Sequence, residues 1–274
     1  MTGSTGLVGS RIVEMLHDQV EFIEITHDMV DLTDKDAALS VLKDISFDFF
    51  LHAAAYTNVD KAENEEREKA YALNVDATRN ITDVVNAKKA KLLYISTDYV
   101  FDGTEPPYYE DSVTHPLSVY GSTKHEGEKI VEGNGMIVRI AFPYRAEFDK
   151  KNDFIRTIKS FMSQGKSLKM VTDAENTPTY IDDIALAIRH LIDNFSPEVF
   201  HIVGPQAQTP YEEGLLIAKT FGFSEELVGK TTFNEFYAGK APRPQHMDIR
   251  SKKNTFVTMR SLEEGLQDMK KIMG

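Results

Sequence analysis

A tyrosine and a lysine stand four residues apart in Tyr120-Gly121-Ser122-Thr123-Lys124, downstream of a hydroxyl in Ser96-Thr97-Asp98-Tyr99. Four residues is close to one helical turn, so Tyr120 and Lys124 share a face of a segment that runs on through Glu126, Glu128, Lys129, Ile130 and Val131. The chemistry this spacing suggests is proton transfer to a carbonyl or an alcohol. A phenol with an ordinary pKa of about 10 exchanges protons poorly at neutral pH, and an ammonium within roughly 4–6 Å favours its ionised form. Tyr120 would then act as general acid or base, with the Thr97 hydroxyl holding the substrate oxygen. A tyrosine and a lysine at this spacing also occur as an ordinary surface pair, so the reading depends on the elements around them.

Those elements alternate. Leu92-Leu93-Tyr94-Ile95 reads as a buried strand that opens onto Thr97. At the start of the chain, Gly3-Ser4-Thr5-Gly6-Leu7-Val8-Gly9 leads into Ile12, Val13, Met15 and Leu16 at helical spacing. Such a loop lets the backbone approach a pyrophosphate, and the helix behind it offers free N–H groups and a positive dipole end. Only Met1 and Thr2 precede it, although a loop of this kind follows the central strand of its sheet. The expectation is therefore a natural chain that begins before Met1, or a rearranged strand pairing. Residues 21–26 alternate as a strand, Asp31-Leu32-Thr33-Asp34 opens a helix, and residues 47–51 form a further strand. The turn His52-Ala53-Ala54-Ala55-Tyr56 has side chains small enough for a flat ligand to lie against the backbone. Residues 61–69 read as a solvated charged face, and Asn74 as the start of another helix.

Strand and helix repeat to about Arg139, which predicts an α/β fold with a doubly wound parallel sheet. The handedness of the crossovers puts the glycine loop, the His52 turn and the Thr97 turn at one carboxyl edge. Beyond about residue 145 the pattern changes. Helices over 154–162, 181–192, 211–221 and 261–272, with strands over 168–171 and 199–203, predict a smaller substrate-binding lobe. The expected division is 1–145 for a dinucleotide-binding domain, its first strand truncated, and 146–274 for the lobe, with some segments returning to the large sheet. Arg243, between two prolines, is a candidate for a ligand pyrophosphate, because a rigid guanidinium suits phosphate oxygens. Arg139 ends a buried strand and reads as the partner of a carboxylate.

Composition removes several other functions. The formal net charge of −12 argues against nucleic-acid polymers and anionic membranes as the main partner. There are no cysteines, hence neither disulfides nor thiolate metal sites, and the eight histidines show no metal-ligand spacing. No apolar run approaches membrane-spanning length and no signal layout opens the chain, so the expected location is the cytoplasm.

Taken together these segments resemble the extended short-chain dehydrogenases/reductases, and within them the dTDP-4-dehydrorhamnose reductase family. The matching stretches are G-S-T-G-L-V-G at Gly3 to Gly9, D-L-T-D at Asp31 to Asp34, A-A-A-Y-T-N-V-D-K-A-E at Ala53 to Glu63 and N-V-D-A-T at Asn74 to Thr78. They continue with S-T-D-Y-V-F-D-G at Ser96 to Gly103, Y-G-S-T-K at Tyr120 to Lys124, T-P-T-Y at Thr177 to Tyr180, and Arg243-Pro244. The resemblance implies a Rossmann-like fold and reduction of the 4-keto group of a nucleotide-activated deoxysugar, dTDP-linked, by NADPH or NADH. It implies Thr97, Tyr120, Lys124 and Asn74 as the catalytic set, Lys124 also binding the nicotinamide ribose.

The cofactor would lie on Gly3, Thr5, Gly6, Leu7, Val8, Gly9, Asp31, Leu32, Ala53, Ala54, Ala55 and Tyr56. The substrate would meet Thr97, Asp98, Tyr99, Phe142 and Arg243, and a homodimer is possible. No arginine adjoins Thr26-His27-Asp28, and the choice between NAD and NADP stays open. Tyr99 stands where related dehydratases carry an acid, which disfavours water elimination. His52 replaces a usual Asn, Phe142 a usual Trp, and Asp173-Ala174-Glu175-Asn176 a usual Asp-Gln-x-Gly, so the sugar or nucleotide could differ. The alternatives are a non-catalytic, NADP-binding regulatory subunit resembling the β subunit of methionine adenosyltransferase, or another sugar-nucleotide epimerase or reductase of the extended family.

Overall fold

The computed structural model describes residues 1–273. Behind the glycine loop, Leu7–Leu16 (α1) buries Ile12 and Leu16 on one face. Lys35–Asp44 (α2) begins at Asp34, whose carboxylate accepts the Ala37 N–H at 3.0 Å. A cap of this kind contributes about 1 kcal/mol. There follow Phe49–His52 (β1), the short helices Val59–Glu63 (α3) and Arg67–Tyr71 (α4), a π-helical turn Ala72–Asp76, Ala77–Ala87 (α5) and Lys91–Thr97 (β2). Val119–Val131 (α6) and Met136–Ile140 (β3) come next, then Pro143–Tyr144 (β4), Phe154–Ser163 (α7), Leu168–Val171 (β5), Thr179–Tyr180 (β6), Ile181–Asp193 (α8) and Val199–His201 (β7). The chain closes with Pro210–Phe221 (α9), Val228–Thr231 (β8), Phe233–Phe236 (α10) and Leu262–Met273 (α11).

Strands β1, β2, β3 and β7 pair in that order, all parallel. Thr2 extends the sheet beyond β1, bridging His52 on one side and Ile25 on the other. Strand pairing is thus not rearranged: Thr2 holds the central place at which the order of the chain reverses. Residues 21–26, in contrast, do not form the full strand their alternation suggests. Their neighbour offers one bridge, at Ile25, and one carbonyl, Met1 O, which accepts the Ile25 N–H at 2.8 Å.

Helices cover both faces of this sheet, so the fold is α/β and doubly wound. On one face α1 and α8 pack Ile12, Leu16, Ile184 and Ile188 against Leu93 and Val138. On the other, Leu42 of α2 and Ile81 and Val85 of α5 pack against Phe50, Leu92 and Ile137. Full burial of such side chains contributes about 1.5–3 kcal/mol each. A separate core joins α7, α9, α11 and β5 through Ile158, Met162, Met170, Ile217 and Leu266. Although they follow β5 in the chain, α8 and β7 belong to the large sheet. Arg11 fastens α1 to α8 through two hydrogen bonds to Asp182, both 2.7 Å.

Candidate active site

Helix α6 starts where Ser118 accepts the Gly121 N–H, which puts Tyr120 in the first turn, beside the end of β2. Close approach fixes the helix there: at Gly127 a Cβ would lie 2.3 Å from the Tyr94 hydroxyl and 2.9 Å from Asn74 O. Tyr120 is half-buried, its ring edge-on to Tyr99 with centroids 5.5 Å apart. Burial raises its pKa to about 12, opposed by the Thr97 hydroxyl and reinforced by Asp98. The expected lowering by Lys124 does not occur. Lys124 is 2% exposed and turns under the helix, donating to Ile95 O at 2.8 Å with its Nζ 3.9 Å over the Tyr94 ring. Desolvation brings the ammonium down to about 7. A cation facing the Tyr94 ring and a strand carbonyl is directed into the sheet, not toward the phenol.

Thr97 donates to Asp98 Oδ1 at 2.9 Å, whereas Asp98 Oδ2 is buried without a partner. Burial pushes the Asp98 carboxyl up to about 7, against the hydrogen bond from Thr97. Asn74 is not a helix cap. It sits inside the π-helical turn, 1% exposed, with its amide accepting from Tyr56 N at 2.8 Å and donating to Tyr56 O at 3.1 Å and Thr123 Oγ1 at 2.9 Å. The extra residue in such a turn swings a side chain out of the regular helical ladder, here to clamp the Tyr56 backbone against α6. His52 has no solvent exposure, bridges Thr2 (2.7 Å) and Thr78 (3.1 Å), and is held neutral as burial lowers its pKa to about 3.

The glycine loop has the form a dinucleotide needs. Gly3 has φ +71°, and a Cβ there would lie 2.5 Å from Ala53 C, so the loop is pressed onto the Ala53–Ala54 backbone. A Cβ at Gly9 would lie 2.1 Å from Gly3 O. Gly6 precedes α1 without any side-chain cap, and the Ser4 hydroxyl beside it is buried with no partner. The Gly6 N–H donates to Gly3 O at 3.0 Å, and the first N–H groups of α1, on Leu7, Val8 and Gly9, remain for an anion. Ala53, Ala54 and Ala55 are partly open, as a flat ring requires, and Thr5 lies at the exposed tip. Asp31 turns its carboxylate back on Thr33, N–H at 2.9 Å and hydroxyl at 2.7 Å, and Leu32 O accepts from Asn80. These residues fit a dinucleotide.

Next to Tyr120 a narrow cleft of about 30 Å³ separates the large sheet from the second lobe, lined by Tyr99, Phe142, Asn176, Tyr237, Arg243 and Met247. Phe142 takes φ +38°, a conformation that is uncommon for a bulky residue and concentrates at functional sites. Arg243 crosses the cleft. It donates to Asp60 Oδ2 at 2.8 Å and to Ala241 O at 2.9 Å, and stacks 4.8 Å from the Tyr237 ring. A larger recess of about 310 Å³ lies at the amino end of the sheet, around Glu110, Glu132, Ile137 and Val199. It contains none of the site residues described above, and its Glu110 carboxylate is engaged by Ser251 and Lys252 N.

Sequence reading located the two edges of this cleft but not its floor or its clasp. It missed Asn176 as a lining residue, Asp60 as the partner of Arg243, Tyr94 as the seat of Lys124, and Glu213. Glu213 left a signal: it occupies the buried face of α9 one turn before Ile217, where an apolar residue belongs.

Comparison with known proteins agrees with this geometry. Residues 1–273 match the family described as RmlD substrate binding domain. The chain is 29% identical to the dTDP-4-dehydrorhamnose reductase of Mycolicibacterium smegmatis, over 98% of this chain and 83% of that protein. It is 32% identical to methionine adenosyltransferase 2 subunit beta of Pongo abelii, over 90% of this chain and 79% of that one. Among solved structures, the dTDP-4-dehydrorhamnose reductase from Bacillus anthracis in complex with NADP superposes with a TM-score of 0.90 at 30% identity, covering 99% of this chain and 97% of that one.

Proposed function

The chain belongs to the RmlD substrate binding domain family, and on that footing we propose that it is an NAD(P)H-dependent oxidoreductase of dTDP-rhamnose biosynthesis. It reduces the 4-keto group of a nucleotide-activated deoxysugar, dTDP-4-dehydrorhamnose to dTDP-L-rhamnose. The observation that carries this reading is the meeting of Thr97 and Tyr120, at the end of β2, with a glycine cradle on one side and the Arg243 cleft on the other.

The glycine loop and the Ala53–Ala55 turn would hold a reduced nicotinamide cofactor, which would supply the hydride for the ketone carbon. Tyr120 supplies the proton to the ketone oxygen. With its pKa at about 12 it stands ready as the phenol, the form a proton donor needs. Thr97 orients that oxygen through its hydroxyl, and Asp98 holds the Thr97 hydroxyl in place. Asn74 keeps α6 in register through Thr123, whose hydroxyl donates to Tyr120 O at 2.9 Å. Lys124, now bonded to Ile95 O, would be the residue to hold a nicotinamide ribose. Arg243 takes the pyrophosphate, with Tyr99 and Phe142 against the sugar. Residues 1–145 form the dinucleotide-binding domain and the lobe beyond 145 the substrate side, with α8 and β7 returned to the sheet. No helix among the described residues is long and apolar enough to cross a membrane. We assign the chain to the cytoplasm; a homodimer is what the family resemblance alone implies.

The test is the loss of nicotinamide absorbance when the protein meets dTDP-4-dehydrorhamnose with NADPH or NADH, run beside Tyr120→Phe. Wild-type oxidation that falls by about 10²–10⁴-fold in the variant is the expected result. The identity to methionine adenosyltransferase 2 subunit beta supports a second reading, a cofactor-binding regulatory subunit. NADPH binding without turnover of any 4-keto sugar nucleotide would favour it.

A further inference from the structure

Behind the cleft lies a polar cluster that the reduction does not use. Asn176 lines the cleft, is 4% exposed, and has its backbone fixed by paired hydrogen bonds with Gln208 of 3.0 and 2.9 Å. Glu213, with no solvent exposure, lies in the first turn of α9. That helix start needs nothing from it, because Thr209 and Glu212 already form a reciprocal cap. Both Glu213 oxygens lack a hydrogen-bond partner, and so do Asn176 Oδ1 and Gln208 Oε1. The Asn176 amide approaches the Glu213 carboxyl without completing a bond, and burial raises the pKa of that carboxyl well above the ordinary range.

Buried polar atoms are normally satisfied, and each exception needs a reason. Four buried oxygens of this cluster receive no hydrogen bond within the protein, and Asn176 is the one of the three residues that also lines the cleft.

We propose that Asn176, backed by Glu213, is a specificity-determining residue that accepts a hydrogen bond from a donor of the nucleotide sugar, either a sugar hydroxyl or the imide N–H of a pyrimidine base. The inference deepens the reductase reading and rests on it. Asn176 reads which ligand is seated, whereas Tyr120 acts on any ketone that is.

The test uses NADPH-loaded wild type, Asn176→Ala, Asn176→Ser and Glu213→Leu, with KM for dTDP-4-dehydrorhamnose and calorimetric Kd for dTDP as readouts. Asn176→Ala should raise KM about five- to tenfold, the value of one neutral hydrogen bond, with kcat within about twofold. Asn176→Ser, which keeps an acceptor, should recover part of the loss. A matching loss of dTDP affinity assigns the donor to the base; unchanged dTDP affinity assigns it to the sugar. Glu213→Leu should raise KM while raising the unfolding midpoint, because it removes an unpaired buried carboxyl; a merely structural residue would lower the midpoint. Unchanged KM and Kd in folded Asn176→Ala would overturn the proposal and leave the reductase reading standing. A wild type that binds dTDP through Asn176 without reducing the keto sugar would overturn that reading and keep the proposal. A wild type that does neither removes both.

Discussion

Glu128 on α6 and Glu213 on α9 are both buried carboxyl groups, and their surroundings are opposite. Glu128 receives two hydrogen bonds from the Arg139 guanidinium, 2.8 and 2.7 Å, an arrangement that also orders β3 against α6. Burial pushes its pKa up, but the hydrogen bonds from Arg139 and then His125 outweigh it and hold the group at about 2. Glu213 has no charged partner, and burial raises its pKa well above the ordinary range. One region is closed, with the Glu128 charge answered by Arg139 inside the protein. The other is open, with acceptors left for something that arrives. A scaffold holding Tyr120 in one place calls for the first; a surface that selects a ligand has a use for the second.

The largest effect should follow from breaking the closed region. Glu128→Gln strips the charge from a pair whose side chains are 4% and 5% exposed, leaving Arg139 with His201 at 3.4 Å and the Phe101 ring. A buried cation without its counter-ion should destabilise the fold by about 3–5 kcal/mol, read from urea unfolding. The wild-type contribution has a definite sign. Because the folded pKa is depressed, it is fully present above the ordinary glutamate value and is lost as pH falls from about 4.5 toward about 2. A loss under 1 kcal/mol would mean that the pair orders nothing.

Glu213 should do the reverse, more weakly. Its folded pKa is raised, so its stability contribution is complete below the ordinary glutamate value and is lost as pH rises above it. Unfolding free energies of wild type and Glu213→Gln should therefore diverge as pH rises above the ordinary glutamate value, the variant gaining relative to wild type. Taking the difference cancels Asp98, whose raised pKa gives a slope of the same sign in both proteins. Parallel curves would show that Glu213 is ionised and paired, and the contrast with Glu128 would collapse.

The closed region was also the legible one. The order of strands and helices, the glycine loop, the Tyr120 helix and the carboxylate partner of Arg139 all follow from local patterns, because periodicity and turn chemistry act between residues close in the chain. What could not be read depends on long-range approach. Lys124 shares a helix face with Tyr120, yet its ammonium goes to Ile95 O and the Tyr94 ring, since strand β2 lies beneath that face. Asn74 looked like a cap because caps favour asparagine, but the π-helical turn gives it a role across two other segments. Residues 21–26 alternate like a strand and find too little neighbour to pair with. Asn176 and Glu213 are 37 positions apart by their numbering and meet only once the second lobe has folded.

Between the two extremes stands Arg243, whose charge is answered but by an exchangeable partner. Its side chain is 11% exposed, whereas that of Asp60 is 46% exposed, so water competes for the pair and its worth is limited to about 1 kcal/mol. The link nonetheless holds Arg243 at a cleft where only about 30 Å³ is open. Under the proposed binding of the pyrophosphate by Arg243, entry of a nucleotide sugar would substitute one anion for another on the same guanidinium. Asp60→Asn should remove the competitor and tighten dTDP binding by about two- to fivefold, with kcat for the keto sugar unchanged or lower if release becomes slow. The gain should shrink with added salt, because the difference is electrostatic. Weaker binding in Asp60→Asn would mean that the aspartate aims Arg243 at the ligand rather than holding it back, which would move this pair to the closed side of the comparison.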